Sequence, residues 1–192
     1  MIKAVIFDFF GVLVGKGFEH TYRNAGGDPV KDHLFIEDML GQSNLGMINA
    51  NEFNLSMSNR LGIDLDKWIK AVKQAEQADE DLLDYIVGLR KSYKTAILSN
   101  SNKGVIKEKV GQERLDQCFD VIVVSADVGL VKPDPAIYDL TAEELGVEDQ
   151  ECIFIDDRKP FVEAAKSVGM TSILYRDQDS KSLINQLKTL LV

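Results

Sequence analysis

The sequence predicts an α/β fold in which a parallel sheet carries an inserted helical module, and three observations lead to this prediction. Short apolar runs recur along the chain: KAVIFDF (3–9), KTAILSN (94–100), FDVIVVS (119–125), ECIFIDD (151–157) and a weaker fifth, TSILY (171–175). Continuous runs of this kind are typical of parallel strands buried on both faces. The segments between them have helical periodicity, and residues 15–80 contain no strand signal.

Length and charge limit the possible functions. With 192 residues, the chain can form one well-buried core carrying a smaller module. Its net charge of −9 argues against a nucleic-acid or anionic-membrane surface, both of which attract clustered Lys and Arg. The chain has only two histidines, so any catalysis must rest on carboxylates, a lysine or a hard metal ion held by oxygen.

The cellular location follows from what the sequence lacks. The N-terminal stretch does not read as a signal peptide, and no apolar stretch reaches the roughly 18 residues of a membrane span. Cys118 and Cys152 are isolated among apolar neighbours, which favours two buried free thiols over a disulfide. We therefore expect a cytoplasmic protein.

The helical module begins after the first strand. Residues 15–28 are either a loop or a short helix, and three amphipathic helices are predicted within 30–41, 49–62 and 64–77, separated by breaks that contain glycine. The next helix, 79–92, has acidic residues at its start and basic residues at its end, which matches the helix dipole.

Two later helices have readable ends. Asp134 is a suitable N-cap, Pro135 fits the first helical position and Gly146 supplies the stop. The following helix has Pro160 near its start and ends close to Gly169.

Polar residues follow each of the first four apolar runs. Taken singly, each has an ordinary explanation: a turn, a helix cap or a solvated lysine. The carboxyl ends of parallel strands meet at one edge of a sheet, where ligands bind. We therefore expect these residues to form one site: Asp8, Ser99, Asn100, Ser125, Asp127, Lys132, Asp156 and Asp157.

Four stretches carry a resemblance to a known family: FDFFGVL (7–13), ILSNS (97–101), GLVKPDPAIY (129–138) and FIDDRKPFVEAAKSVGM (154–170). The chain resembles a haloacid dehalogenase-like hydrolase, most similar to the phosphatase branch with a helical cap after the first strand. The resemblance implies a Rossmann-like core formed by residues 1–14 and 81–192, with a helical cap at 15–80 that closes over the strand ends.

The resemblance also implies a role for each residue. Asp8 would be the nucleophile that attacks phosphorus to form an aspartyl-phosphate. Ser99 and the amide of Asn100 would bind phosphoryl oxygens, and Lys132 would neutralise the charge that develops on them.

A Mg²⁺ cofactor is implied as well. Asp8, Asp156 and the backbone carbonyl of Phe10 would hold the ion, and Asp157 would ligate it or orient a water molecule. The substrate would be a small phosphorylated metabolite, and the protein would be a monomer or a homodimer.

The sequence departs from the family pattern at Phe10. Family phosphatases usually carry a second aspartate there, which protonates the leaving oxygen and contributes roughly 10²–10⁴-fold to the rate.

Three interpretations of the function stay open. The chain is a phosphatase that uses a good leaving group or an acid from the cap entrance, where Glu19 and His20 are the nearest candidates; it is a weakly active or non-catalytic phosphate-binding member; or it is a haloacid dehalogenase. The Asp156–Asp157 pair favours the first over the third, because a metal site suits a phosphate dianion.

Overall fold

The computed structural model describes residues 1–176 and 179–191, and a five-stranded parallel sheet forms its centre. The strands are β1 (Ala4–Phe7), β2 (Lys94–Ser99), β3 (Val121–Val124), β4 (Cys152–Asp156) and β5 (Thr171–Leu174). Their order across the sheet is β3-β2-β1-β4-β5, and every neighbouring pair is parallel. The predicted fold class and the five predicted strands are confirmed.

Helices connect the strands and cover the sheet. Before β2 come α1 (Phe18–Asn24), α2 (His33–Asn44), α3 (Ala50–Leu61), α4 (Leu65–Ala75) and α5 (Glu80–Leu89). After β2 come α6 (Lys103–Val110), α7 (Gln112–Cys118), α8 (Ser125–Val128), α9 (Pro135–Leu145), α10 (Lys159–Ser167) and α11 (Ser180–Leu190). The stretch 15–28, where a loop and a short helix were both open, contains α1.

The predicted helix ends are largely correct. Asp134 accepts a hydrogen bond from the amide of Ala136 at 3.0 Å, Pro135 is the first residue of α9, and Gly146 ends it with φ of 68°. Helix α5 is shorter than predicted and ends at Leu89, because the chain must turn there to enter β2.

The sheet has an apolar layer on each face, as its continuously apolar strands require. Val5 and Phe7 of β1 face a layer that includes residues of α5, α7 and α11, whereas Ala4 and Ile6 face a layer that includes residues of α9 and α10. Because both faces of β1 are covered, its sequence does not alternate between apolar and polar residues.

Helices α1 to α4 have a small core of their own. It is built around Tyr22, Met57 and Trp68, which are fully buried, with further apolar side chains packed against them. The Trp68 indole Nε1 donates to Asn54 Oδ1 at 2.9 Å, so the one polar atom of this ring is satisfied. A separate core is what an inserted module needs, although the division at residues 15–80 stays a prediction.

Two expectations from composition can be compared with the structure. Cys118 and Cys152 are both free and buried, as expected. Within residues 1–176 and 179–191, no helix combines the length and the apolar character that crossing a membrane requires.

Candidate active site

The polar residues that follow three neighbouring strands converge at one edge of the sheet. Asp8 follows β1, the central strand, while Ser99 ends β2 on one side of it and Asp156 ends β4 on the other. The Asp8 amide donates to the carbonyl of Ile155 at 2.8 Å, which extends the β1–β4 pairing to the end of the strand and fixes the Asp8 backbone. All three side chains are buried.

Lys132 joins two of these strand ends. Its Nζ donates to Asp8 Oδ1 at 2.7 Å and to Asp156 Oδ2 at 2.7 Å. The ammonium also lies over the rings of Phe154 and Phe161, at 5.4 and 5.0 Å from their centroids. The lysine is 3% exposed, so its ammonium contacts the groups of this site and almost no solvent.

Burial dominates the electrostatics of this cluster. It raises the pKa of Asp8 to about 7, and Lys132, which acts in the opposite direction, does not cancel the effect. Burial likewise raises the pKa of Asp156. For Lys132, burial alone would lower the pKa, but the two carboxylates outweigh it and leave the pKa raised. Lys132 therefore offsets only part of the cost of burying the two carboxylates.

Asp157 completes an acidic cluster. Carboxylate oxygens of Asp8, Asp156 and Asp157 all lie within 4.8 Å of one another. Asp157 Oδ2 is buried and, among the described residues, accepts no well-aligned hydrogen bond; Lys16 Nζ lies 2.5 Å from it as an ion pair. Three carboxylates around one point form a donor set that fits a hard cation such as Mg²⁺.

Gly11 is the residue that lets Asp157 approach the loop after β1. Its φ of +92° is unfavourable for other residues, and a Cβ there would lie 2.5 Å from Asp157 Oδ2. The same loop places the carbonyl of Phe10, which accepts none of the backbone hydrogen bonds of the described residues. That oxygen is thus available as a ligand.

Asn100 does more than sequence reasoning foresaw. Its side chain donates to the Lys132 carbonyl at 3.0 Å and accepts from the Lys132 amide at 2.8 Å. Next to it, Ser101 Oγ donates to Ser99 Oγ at 2.9 Å. The SNS sequence after β2 signals a polar strand end, but nothing in it shows that the asparagine would hold a loop some thirty residues away.

Phe10 lies beside Asp8, in the loop that follows β1. Its ring packs edge-on against Phe9, with the centroids 5.0 Å apart, and it lines the cavity above Asp8. Phe10 therefore both packs against its neighbour and forms part of the wall of the cavity.

Glu19 and His20 are not brought to the site. Both are exposed on α1, where Glu19 Oε1 pairs with Arg23 at 2.8 Å and His20 shares a hydrogen bond with Asn24 at 2.8 Å. Neither lines the cavity. The carboxylates that do line it, besides Asp8, are Glu76 and Glu108, and no sequence pattern singled them out.

The cavity above Asp8 has a volume of about 310 Å³. The core supplies its floor, including Asp8, Ser99 and Lys132, and the helical insert supplies Phe18, Phe53 and other side chains above them. Contacts also tie the insert to the core beside the cavity: Ser125 Oγ donates to the carbonyl of Asn44 at 2.5 Å.

Comparison with known proteins places these features in context. A sequence model of the haloacid dehalogenase-like hydrolase family matches residues 2–169. The chain is 29% identical to D-ribitol-5-phosphate phosphatase of Bacteroides thetaiotaomicron, over 88% of this chain and 89% of that protein. It is 27% identical to a phosphorylated carbohydrates phosphatase of Thermotoga maritima, over 95% of this chain and 90% of the relative.

Solved structures agree on the fold. A family enzyme from Bacteroides thetaiotaomicron, crystallised in complex with magnesium and inorganic phosphate, superimposes with a TM-score of 0.77 at 21% identity, covering 95% of this chain and 99% of that one. At this identity the likeness shows a shared fold.

Proposed function

The chain belongs to the haloacid dehalogenase-like hydrolases, and we propose that within this family it is a Mg²⁺-dependent phosphatase that hydrolyses a small phosphomonoester through an aspartyl-phosphate on Asp8. One observation carries the proposal: Lys132 Nζ lies 2.7 Å from both Asp8 Oδ1 and Asp156 Oδ2. A buried lysine held between a central strand-end carboxylate and a second carboxylate fits the transfer of an anionic phosphoryl group.

The first step is attack by an Asp8 carboxylate oxygen on phosphorus. The bond from phosphorus to the leaving oxygen breaks, and its electron pair departs with that oxygen. Lys132 neutralises charge on the phosphoryl oxygens, where its interaction is strong because the site is buried. Water then hydrolyses the aspartyl-phosphate, which releases phosphate and restores Asp8.

Ser99 and Asn100 would hold the phosphoryl group. Because Ser99 Oγ accepts from Ser101 Oγ, its own proton is available to donate to a phosphoryl oxygen. The Asn100 side chain is occupied by Lys132, so its contribution to phosphate binding would come from the backbone amide, as expected from the resemblance.

Mg²⁺ would be held by Asp8, Asp156, Asp157 and the Phe10 carbonyl. These oxygens fit its preference for hard ligands. When bound, the ion supplies the positive charge that lets an anionic carboxylate approach an anionic phosphate.

Residues 15–80 would serve as the cap. Side chains from this segment lie above the floor of the cavity, and such lids exclude water from the reacting atoms. The residues that contact the leaving group would therefore come largely from the cap.

The test is release of inorganic phosphate from a panel of phosphomonoesters with Mg²⁺. We expect turnover by the wild type and none by Asp8→Asn, with the exposed Asp81→Asn as a matched control that keeps full activity. Hydroxylamine should trap the intermediate as a hydroxamate at Asp8. Turnover that survives in Asp8→Asn contradicts the nucleophile assignment.

The same assay separates the other two interpretations. Halide release from a 2-haloacid without metal identifies a dehalogenase, since halide leaves without a proton. Stabilisation by phosphate without turnover of any ester identifies a binding member of the family.

A further inference from the structure

Apolar atoms supply most of the surface of the cavity above Asp8, although polar residues also line it. Aromatic and aliphatic groups from both the core and the helical insert surround its volume of about 310 Å³, among them Phe10, Phe18, Phe53, Ile69, Val72 and Val105. Burying apolar surface gains roughly 25 cal/mol per Å². The space beyond the phosphoryl group therefore favours an apolar leaving group.

Four of the charged side chains in this lining are paired with each other. Lys109 Nζ lies 2.5 Å from Glu76 Oε2, and Lys73 Nζ lies 3.0 Å from Glu108 Oε1. These ion pairs join the end of α4 to α6, so they are part of how the insert contacts the core.

The side-chain oxygens of two lining asparagines are already used. Asn54 Oδ1 accepts from the Trp68 indole, and Asn102 Oδ1 caps α6 by accepting from the Val105 amide at 3.0 Å. A polyol that placed its hydroxyl groups against the apolar part of the surface would give up hydrogen bonds to water, at a cost of about 1–3 kcal/mol for each group left unpaired.

Among the described residues, each lining carboxylate other than Asp8 has a lysine partner and is not free to act as the acid. Phe10 lies where an acid would protonate the leaving oxygen, and the other lining carboxylates, Glu76 and Glu108, each pair with a lysine. A leaving group that must depart as an anion does so far more readily as a phenolate, whose conjugate acid has a pKa of about 10. An alkoxide is much poorer, with a conjugate-acid pKa of about 16, close to that of water.

From these two features together we infer that the substrate is an aryl phosphomonoester, the ester of phosphate with an apolar phenolic alcohol; the inference rests on the proposed phosphatase activity. Asp8 forms a bond to phosphorus while the bond from phosphorus to the aryl oxygen breaks, and the electron pair leaves on the phenolate. The phenolate then takes a proton from water. Phe10 and the apolar walls contact the ring.

Three substrates test this inference. Phenyl phosphate and cyclohexyl phosphate are close in size and apolar character but differ in the leaving oxygen, while ribitol 5-phosphate has a polar leaving group. We expect kcat/KM for phenyl phosphate to exceed that for cyclohexyl phosphate by roughly 100-fold or more, the scale of the missing acid catalysis. Cyclohexyl phosphate should still bind more tightly than ribitol 5-phosphate, as a competitive inhibitor of phenyl phosphate hydrolysis.

Variants test the missing acid at residue 10 and the apolar cavity wall separately. Phe10→Asp should raise kcat for cyclohexyl phosphate and so narrow the difference in kcat/KM between phenyl and cyclohexyl phosphate. Phe10→Leu should have neither effect. Val72→Thr keeps the shape of the cavity wall but adds a hydroxyl, and it should raise KM for phenyl phosphate by roughly 10-fold. Val87→Thr, on α5 and outside the cavity lining, is its control.

The possible failures are distinguishable. If ribitol 5-phosphate is hydrolysed as efficiently as phenyl phosphate, or if phenyl and cyclohexyl phosphate have equal kcat/KM, the inference is overturned while the phosphatase activity stands. If no ester releases phosphate, the proposed function itself fails.

Discussion

The side chain of Asn100 holds both backbone groups of Lys132, donating to its carbonyl at 3.0 Å and accepting from its amide at 2.8 Å. Asn100 follows β2, and Lys132 lies in the loop before α9, so one amide group joins two separate strand connections. The same lysine then reaches Asp8 and Asp156 with its Nζ. The position of the site's buried ammonium thus depends on a neutral side chain that need not itself contact the substrate.

We predict that Asn100→Ala reduces kcat by roughly 100-fold, the scale expected when a catalytic group is displaced by about 1 Å. The free energy of unfolding should fall by about 1–3 kcal/mol, since two backbone groups of Lys132 lose their partner. Steady-state phosphate release and urea unfolding measure the two effects. Asn185→Ala, an exposed substitution on α11, should change neither. A kcat within twofold of wild type would show that Lys132 is positioned without Asn100.

The strands and the polar residues at their carboxyl ends could be predicted from the sequence, for a physical reason. A strand buried on both faces must be continuously apolar, so a carboxylate at its end is conspicuous, as Asp8 and Asp156 are. Parallel strands deliver their carboxyl ends to one edge, so these residues could be expected to meet without knowing the strand order. Helix ends such as Asp134 and Gly146 were predictable because their signals are local.

Contacts between distant segments were not predictable. Glu76 and Lys109 form a buried pair, but in the sequence each is an ordinary charged residue of a helix or its end. The apolar cavity lining was missed for the same reason: a helical pattern shows that Ile69 and Val72 are on an apolar face, but not whether that face meets a core or a cavity. Glu19 was selected by proximity in sequence, whereas the direction of α1 places it in solvent.

We predict that Asp8→Asn is more stable than wild type when metal is removed by EDTA. Burial raises the pKa of both Asp8 and Asp156, so keeping these groups ionised costs stability. Asparagine keeps the shape and an oxygen that can accept from Lys132. Lys132 keeps its ion pair with Asp156, so the substitution removes the cost of one buried negative charge without leaving the ammonium unpaired.

In excess Mg²⁺, the wild type should be more stable than Asp8→Asn. An ion at 100-fold its dissociation constant stabilises the wild type by about 2.7 kcal/mol, and the variant, which lacks one ligand, should gain much less. Thermal unfolding of both proteins in EDTA and in excess Mg²⁺ measures the effect, with Asp81→Asn as control. A lower stability of Asp8→Asn in EDTA would contradict the prediction.

We predict that Gly11→Ala weakens Mg²⁺ binding, because the new Cβ would lie 2.5 Å from Asp157 Oδ2 and displace it. Gly26→Ala is a matched control for backbone strain. Gly26 has a φ of +96°, close to the +92° of Gly11, but a Cβ there meets nothing within 4 Å. Both variants should lose stability through backbone strain, Gly11→Ala the more because of its clash, and only Gly11→Ala should raise the Mg²⁺ concentration needed for half-maximal activity, by roughly 10–100-fold. If both variants needed the same Mg²⁺ concentration for half-maximal activity, Asp157 would not take part in binding the ion.

We predict that the Glu76–Lys109 pair couples more strongly than its neighbour, Lys73–Glu108. Both pairs join the end of α4 to α6, but the side chains of the first are 9% and 10% exposed and those of the second are 60% and 54% exposed. Breaking a buried pair costs about 3–5 kcal/mol, whereas exposed pairs contribute about 0.2–1 kcal/mol. Double-mutant cycles with Gln for each glutamate and Met for each lysine measure the two coupling energies. Similar values for both pairs would contradict the difference in burial.

The same glutamate should produce a pH dependence of stability. Burial raises the pKa of Glu76, and Glu108 adds to the shift, while Lys109 opposes it. Because the folded pKa lies above the unfolded one, the folded state binds the extra proton; stability from this group is present below the unfolded pKa and is lost as the pH rises through the folded value. Unfolding by urea at a series of pH values upward from the group's ordinary pKa of 4.5 should therefore show a decline in wild type that is weaker in Glu76→Gln. Glu108→Gln, at the exposed pair, should keep most of the wild-type slope, and a slope in Glu76→Gln equal to that of wild type would show that Glu76 titrates normally.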